Sequence, residues 1–165
     1  MHIIQKTVYV ETTIPSFYYT LRKDPESIAR MHWTRQWWIE YANAFSLTTS
    51  AAVIDELRRG TSEQTEYRIA LLDNTTILPI IDDVVQIAHV YIERQVMPRD
   101  PEGDALHLAL ASYYKIDYLL TWNCKHLANA RKFQNVRVIN YELGLATPVL
   151  TTPLNFGTNE VECDD

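Results

Sequence analysis

Short runs of β-branched and apolar residues alternate along the chain with longer segments whose apolar positions recur at helical spacing. The short runs predict five strands, because each is rich in Val, Ile, Leu, Thr or Tyr. The predicted strands lie at 6–10, 46–49, 76–80, 117–121 and 136–139. The longer segments predict helices, several of which begin at typical start signals such as Pro25, Ser50 and Asp82. The predicted helices lie at 15–22, 25–44, 50–59, 62–73, 82–97, 102–115 and 124–133.

This alternation predicts an α/β fold. A helix-length connection between two strands of one sheet leaves them parallel, so we expect a three-layer sandwich with helices on both faces of a central parallel sheet. The sheet would contain the five short strands, and the domain would cover residues 1–146. Residues 147–165 show no sustained periodicity and end in acidic residues, so they predict an acidic, loosely held tail.

Composition and charge restrict the class of protein. A chain of 165 residues with 47% hydrophobic content predicts one compact domain. The net charge of −6 seems to argue against a nucleic-acid partner, but four acidic residues lie among the last six, which leaves −2 for the rest. No window approaches about 18 uninterrupted apolar residues, and no export signal is present, so we expect no membrane segment. Cys124 and Cys163 lack metal-site spacing and fit a reducing cytoplasm.

Oxygen-bearing side chains from several chain segments are expected at one edge of the sheet. In a parallel sheet, the ligand crevice lies beyond the carboxyl ends of the strands, where the crossover helices also begin. Glu11 directly follows the first predicted strand. Asp104 lies in the first turn of the helix that leads to strand 117–121, and Asn123 lies just past that strand. Glu56 shares the apolar, inward face of helix 50–59.

Each of these four residues also has a plain structural explanation: a helix-terminus charge, a helix cap or a solvated loop acid. Their convergence favours a site. Neighbouring carboxylates repel one another unless a cation is present, and hard oxygen ligands select Mg²⁺ or Mn²⁺ over zinc. Such a site suits phosphodiester hydrolysis by activated water. We leave His107, one helical turn after Asp104, out of the ligand set, because it could equally be a hydrogen-bonded histidine in an apolar helix.

Four motifs occur in a characteristic order: "YVETTIPSF", "VIDELRRG", "GDALHLALA" and "YLLTWNCKHLANA". In this order the chain resembles, over about residues 6–141, the PIN-domain nucleases, in particular the VapC-like toxins of bacterial type II toxin–antitoxin pairs. The resemblance implies a PIN-like fold and a metal-dependent endoribonuclease that a small antitoxin protein inhibits. It also implies site residues: Glu11, Glu56 and Asp104 as acidic metal ligands, Asn123 at the fourth position, and Thr12 as a hydroxyl that orients water or metal.

Two positions depart from the family pattern. Position 11 is Glu where the family usually has Asp, and position 123 is Asn where many members carry a fourth acid. Arg58, Arg59 and Lys125 flank the acidic positions and are candidates for contacts with RNA phosphates, although a solvated basic face is the default for such residues. Aromatic residues between positions 33 and 45 predict core packing, with a surplus that could serve a homodimer or an antitoxin interface.

Two alternative functions remain open from the sequence. A receiver-like signalling domain would use an acid pair, a threonine and a lysine, for which Asp82, Asp83, Thr121 and Lys125 are candidates. Here, however, the acid pair follows the third predicted strand, whereas in receiver domains it follows the first. The other alternative keeps the PIN-like fold but makes it a non-catalytic binding module.

Overall fold

The structure is a computed structural model that describes residues 4–94, 103–123 and 130–156. Its centre is one parallel sheet of five strands in the order β3-β2-β1-β4-β5. The strands are β1 Thr7–Val10, β2 Ser46–Thr49, β3 Thr76–Ile77, β4 Tyr118–Leu120 and β5 Val149–Thr151.

Seven α-helices connect these strands within the described residues. They are α1 Thr13–Tyr18, α2 Pro25–Glu40, α3 Ala51–Arg59, α4 Thr65–Ala70, α5 Asp82–Glu93, α6 Asp104–Tyr113 and α7 Ala130–Leu143. A short 3₁₀ helix, Ala42–Ala44, follows α2. None of the helices in this part of the chain is long and apolar enough to span a membrane.

The direction of the connections determines the layers. The chain steps from β1 to β2 to β3 towards one edge of the sheet, and then crosses back to β4 and β5 on the other side of β1. Right-handed crossovers therefore place α1–α4 on one face and α5–α7 on the other. In agreement, α1 packs against α2 and α4, and α5 packs against α6. The predicted three-layer α/β fold with a parallel sheet is confirmed.

The two central strands supply the middle of the core. Val8, Tyr9 and Val10 of β1 are fully buried, and β4 is buried along its whole length. Strands that are covered on both faces read as continuous apolar runs, which explains why β1 and β4 were clear from sequence. The chain reverses its direction of travel between these two strands. Ligand sites of open parallel sheets lie at such a switch point, beyond the carboxyl ends of the strands.

The predicted strand at 136–139 is wrong, because these residues lie within α7. Val136 and Ile139 are buried, whereas Val138 is 54% exposed, so the buried positions follow helical spacing. Asn140, buried next to Ile139, extends the same face. A four-residue run rich in Val and Ile is compatible with a strand or with the buried face of a helix, and here it is the buried face of α7.

The prediction of a loosely held tail is also wrong for its first part. Val149–Thr151 form β5, which pairs in parallel with β4. Phe156 is 5% exposed, and its ring centre lies 5.3 Å from that of Trp37 and 4.9 Å from that of Tyr118. The sheet domain therefore extends beyond residue 146 to at least Phe156, because the sheet and the aromatic core need these residues. The acidic end of the tail lies outside the described residues.

Replacing Phe156 tests whether this segment stabilises the domain. We expect Phe156→Ala to lower the free energy of unfolding by about 3–5 kcal/mol, because the ring fills a buried aromatic cluster. Leu154, which is 47% exposed, provides the control, and Leu154→Ala should change stability by less than about 0.5 kcal/mol. Urea denaturation measures both variants. Equal, small losses in the two would show that the segment is not part of the cooperative core.

Candidate active site

Glu11 lies at the switch point between β1 and β4. Its backbone N–H donates to the Leu120 carbonyl at 3.2 Å, which continues the ladder of the two strands by one step. Its side chain is buried, with 4% of the residue exposed. Carboxylate oxygen Oε2 accepts hydrogen bonds from the Thr13 amide at 3.0 Å, from the Thr13 hydroxyl at 2.5 Å and from the Thr121 hydroxyl at 2.8 Å.

These contacts set the electrostatics of Glu11. Burial raises the pKa of its carboxyl, and the charge of His107 and the hydrogen bonds from Thr13 and Thr121 oppose this shift only in part. Within the described residues, the hydrogen bonds to this carboxylate all end on Oε2. Oε1 therefore keeps its lone pairs for a cation or a water molecule.

Glu56 approaches the site from α3 on the neighbouring connection. Its Oε2 accepts a hydrogen bond from the Thr12 hydroxyl at 2.5 Å, and its Oε1 contacts His107 Nε2 at 2.9 Å. A carboxylate on the inward face of a helix needs hydrogen-bond partners, and Thr12 and His107 are those of Glu56. Thr12, for which the resemblance implies an orienting role towards water or metal, binds Glu56 in this structure.

His107 links Glu56 to the interior of the sheet. The imidazole is 1% exposed, and its Nδ1 lies 2.7 Å from the Tyr9 hydroxyl, which in turn lies 2.8 Å from the Ser50 hydroxyl. Burial alone would lower the pKa of His107, but the hydrogen bond and charge of Glu56, together with the charges of Glu11 and Asp104, outweigh it and raise the pKa. Burial likewise raises the pKa of Tyr9, so this hydroxyl stays protonated.

The direction of the His107–Glu56 hydrogen bond does not depend on the charge of His107. An ionised carboxylate only accepts hydrogen bonds, so Nε2 must carry the donated proton in both the neutral and the cationic imidazole. The Nε2 lone pair is therefore unavailable to a metal while this contact persists. His107 fixes the orientation of Glu56, as residues behind metal ligands commonly do.

Glu11, Glu56 and His107 form a compact group with metal-binding potential. Each offers one ligand atom, and these atoms lie within 4.8 Å of one another. Since His107 Nε2 is engaged by Glu56, the atoms of this group that can still bind a cation are carboxylate oxygens: Glu11 Oε1, and the Glu56 oxygens through their second lone pairs. An acidic group of this kind could bind a metal ion.

Asp104 and Asn123 form a second pair at the same edge of the sheet. Asp104 is the first residue of α6, and its Oδ1 accepts a hydrogen bond from Asn123 Nδ2 at 2.9 Å. The backbone N–H of Asn123 donates to the Thr121 hydroxyl at 2.9 Å, and that hydroxyl donates to Glu11. Thr121 therefore connects this pair with Glu11. Because Asn123 donates its amide N–H to Asp104, an ionised aspartate at position 123 could not replace this contact.

Several residues of the site were absent from the set predicted by sequence. Thr13, Thr121, Tyr9 and Ser50 all take part in the hydrogen bonds, and His107 was left outside the ligand set. Thr13 is adjacent to Thr12, and Thr121 lies two residues before Asn123, so their positions were a usable signal. Tyr9 and Ser50 gave no such signal. Tyr9 contacts His107 and Ser50, which lie 98 and 41 residues away from it along the chain.

The predicted RNA-binding residues are placed only in part. Arg58 and Arg59 form the last turn of α3 and are exposed, and Arg59 Nε lies 3.4 Å from the Asp55 carbonyl. They follow Glu56 on the same helix. Lys125 lies outside the described residues.

Of the residues required for a receiver-like site, the acid pair and the threonine are described by the structure, and they are not brought together. Asp82 and Asp83 begin α5 after the edge strand β3, whereas Thr121 follows β4. Strands β2 and β1 lie between β3 and β4 in the sheet. Thr121 instead donates its hydroxyl hydrogen to Glu11.

Comparison with known proteins supports the fold. No model of a known protein family matches this sequence, and no curated protein matches it either. The chain is similar to one chain in the structure of VapBC-1 from nontypeable Haemophilus influenzae, with 14% identity over 90% of this chain and 98% of that chain and a TM-score of 0.56. It is also similar to a chain of VapBC2 from Rickettsia felis bound to a DNA fragment from their promoter, with 13% identity, coverages of 88% and 98%, and a TM-score of 0.54.

The predicted PIN-like, VapC-like architecture is therefore confirmed at the level of the fold. Sequence identity of 13–14% transfers no residue roles to this chain.

Replacing Asn123 tests the second pair. Asn123→Asp removes the hydrogen bond to Asp104 and adds a negative charge, so we expect the metal-free protein to lose about 1–3 kcal/mol of stability. Added Mn²⁺ should then stabilise this variant more than the wild type, because a cation relieves the new repulsion. Asn123→Ala, which adds no charge, is the control. Urea denaturation in EDTA and in Mn²⁺ gives the values, and an equal response to Mn²⁺ in the two variants would contradict the arrangement.

Proposed function

We propose that this protein is a metal-dependent endoribonuclease that hydrolyses RNA phosphodiester bonds with activated water. The observation that carries this proposal is the meeting of Glu11 and Glu56 at the switch point of the sheet, with ligand atoms within 4.8 Å. Two carboxylates this close, one of them buried, repel each other unless a cation or a proton intervenes. Asp104 adds a third acid at the same edge, and its charge acts on His107.

The residues that would hold Mg²⁺ or Mn²⁺ are Glu11 and Glu56, with Asp104 and Asn123 completing the set that the resemblance implies. When bound, such an ion lowers the pKa of a coordinated water and neutralises charge on the phosphate. The chain's own residues hold the ligands in place: Thr13 and Thr121 fix Glu11, and Thr12 and His107 fix Glu56. No covalent nucleophile is required.

The carboxylate that orients the attacking water is, in this proposal, Glu11. Its Oε1 is not engaged by the described hydrogen bonds, so it can accept a hydrogen bond from that water. Arg58, Arg59 and Lys125 would offset the negative charge of the site by contacting RNA phosphates.

We further propose that the enzyme acts in the cytoplasm as the toxin of a toxin–antitoxin pair. The similarity to a chain in two VapBC structures supports this assignment. A small antitoxin protein would bind the domain and inhibit it, and the domain would also associate as a homodimer. Co-purification with the product of the neighbouring reading frame, followed by light scattering, tests both associations.

Cleavage of a single-stranded RNA in the presence of Mn²⁺ tests the enzymatic proposal. We expect wild-type protein to cleave, and Glu11→Gln and Asp104→Asn to lose at least about 100-fold in rate. Mutation of a residue that only supports a metal ligand typically costs about 10–100-fold in activity, and loss of the ligand itself should cost more. Glu142→Gln is the control, since it removes one negative charge from an exposed glutamate in the last turn of α7.

Two outcomes would contradict the proposal. If the wild type showed no Mn²⁺-dependent cleavage, the non-catalytic binding module would be the better description. If Glu11→Gln and Asp104→Asn cleaved RNA at the wild-type rate, the chemistry would lie elsewhere on the protein.

A further inference from the structure

A second feature of the molecule is a positively charged cavity on the α1–α4 face. It has a volume of about 280 Å³ and is lined by Ser16, Phe17, Thr20, Arg22 and Arg68. Two arginines and two hydroxyl-bearing residues therefore line a single small cavity. None of these residues belongs to the carboxylate site.

Arg68 is partly desolvated and incompletely hydrogen-bonded. Its Nη2 donates to the Tyr19 carbonyl at 3.1 Å, but its Nε is buried and has no hydrogen-bond partner among the described residues. Burial lowers the pKa of Arg68, and the positive charge of Arg22 lowers it further. An unsatisfied donor on a charged group is costly, which makes this arginine a group that an anion would stabilise.

The charge of Arg22 is compensated only weakly: it acts on the nearby Asp24 carboxylate, whose pKa it helps to lower, but the two form no salt bridge among the described residues. In the part of the chain that the structure describes, neither Arg22 nor Arg68 forms a salt bridge. Other arginines do: Arg30 pairs with Glu26 at 2.6 Å, and Arg94 pairs with Glu142 at 2.5 Å. The lining of the cavity contains two arginines that repel each other and no acidic residue, so its local potential is positive and attracts an anion.

The donors suit a phosphate group in particular. A guanidinium presents several N–H donors in a plane that matches phosphate oxygens, and serine and threonine hydroxyls add single donors. Phe17 lies beside these donors and contributes an aromatic ring to the wall of the cavity. Single-stranded nucleic acids are commonly bound by basic grooves that also contain aromatic side chains.

The cavity lies close to the carboxylates. Ser16 is three residues after Thr13 on α1, a rise of about 4.5 Å along the helix, and the Thr13 hydroxyl donates to Glu11. Helix α4, which carries Arg68, packs against both α1 and α3. A polyanion held at an acidic site needs compensating contacts nearby, and this cavity is one turn of helix away from that site.

We propose that the Arg22–Arg68 cavity binds a phosphate group of the RNA substrate adjacent to the one that is cleaved. The identity of the ligand rests on the proposed nuclease function. Binding energy from this phosphate would hold the strand across the carboxylate site, where the acidic groups themselves repel RNA.

Equilibrium binding of a short single-stranded RNA in EDTA, measured over a range of salt concentrations, tests this inference. Arg22→Gln should flatten the log–log salt slope by about 0.7 and weaken binding about fivefold at 0.1 M salt. Arg22 is exposed, so this change should leave the fold intact. Arg68→Lys, which keeps the charge, should retain the slope but bind more weakly. Arg94→Gln is the control, because Arg94 follows α5 and pairs with Glu142 of α7, on the face of the sheet opposite to the cavity.

The outcomes separate this inference from the nuclease proposal. RNA binding that depends on Arg22, without cleavage by the wild type, would overturn the nuclease function and leave the phosphate site standing. Mn²⁺-dependent cleavage with an unchanged salt slope in Arg22→Gln would overturn the phosphate site alone. An unchanged slope together with weaker binding of the partner from the neighbouring reading frame would assign the cavity to an acidic side chain of that partner and overturn the RNA assignment.

Discussion

The burial of the Glu11 carboxylate at the end of the central strand is the constraint on which the site depends. Glu11 is 4% exposed, and a buried carboxyl group must be hydrogen-bonded, neutralised or paired with a cation. The protein meets part of this requirement with three hydrogen bonds to one oxygen, from Thr13 and Thr121. These hydrogen bonds do not offset the whole cost of burying the charge: the pKa of the carboxyl stays raised, and the other oxygen accepts none of them.

Hydrogen bonds extend this constraint to most elements around the switch point. Glu56 joins α3 to α1 through Thr12 and to α6 through His107, and Tyr9 joins His107 to the start of α3 through Ser50. Thr121 and Asn123 connect β4 to Glu11 and Asp104. The carboxylates are thus held by side chains from separate connections of the sheet. Such anchoring fixes ligand geometry more firmly than loop residues alone would.

The sequence was sufficient for the parts of the fold that depend on local pattern. β1 and β4 are short apolar runs, and β2 is a short run rich in threonine. Glu11, Asp104 and Asn123 follow from the positions of strand ends and helix starts. The fifth strand was misplaced because the Val-rich run at 136–139 is one buried face of α7. The true strand, Val149–Thr151, lies between prolines and has only three residues, so its pairing with β4 decides its structure.

The contacts within the site required the tertiary structure. His107 contacts Glu56 rather than Asp104, and the local sequence pattern does not indicate this, because His107 and Glu56 lie 51 positions apart along the chain. The cavity containing Arg22 and Arg68 likewise depends on the packing of α4 against α1. Sequence patterns specify which edge of the sheet a residue reaches, whereas hydrogen-bond partners depend on how the helices pack across it.

The central claim is that Glu11 and Glu56 together form a site for a divalent cation. Calorimetric titration of Mn²⁺ into wild-type protein, Glu11→Gln and Glu56→Gln tests it most directly, since it requires neither an RNA substrate nor a partner protein. The account predicts saturable binding to the wild type and a loss of at least about tenfold in affinity for each variant, because each loses a charged ligand of the hard cation. Mn²⁺ affinity that is equal in all three proteins would contradict it.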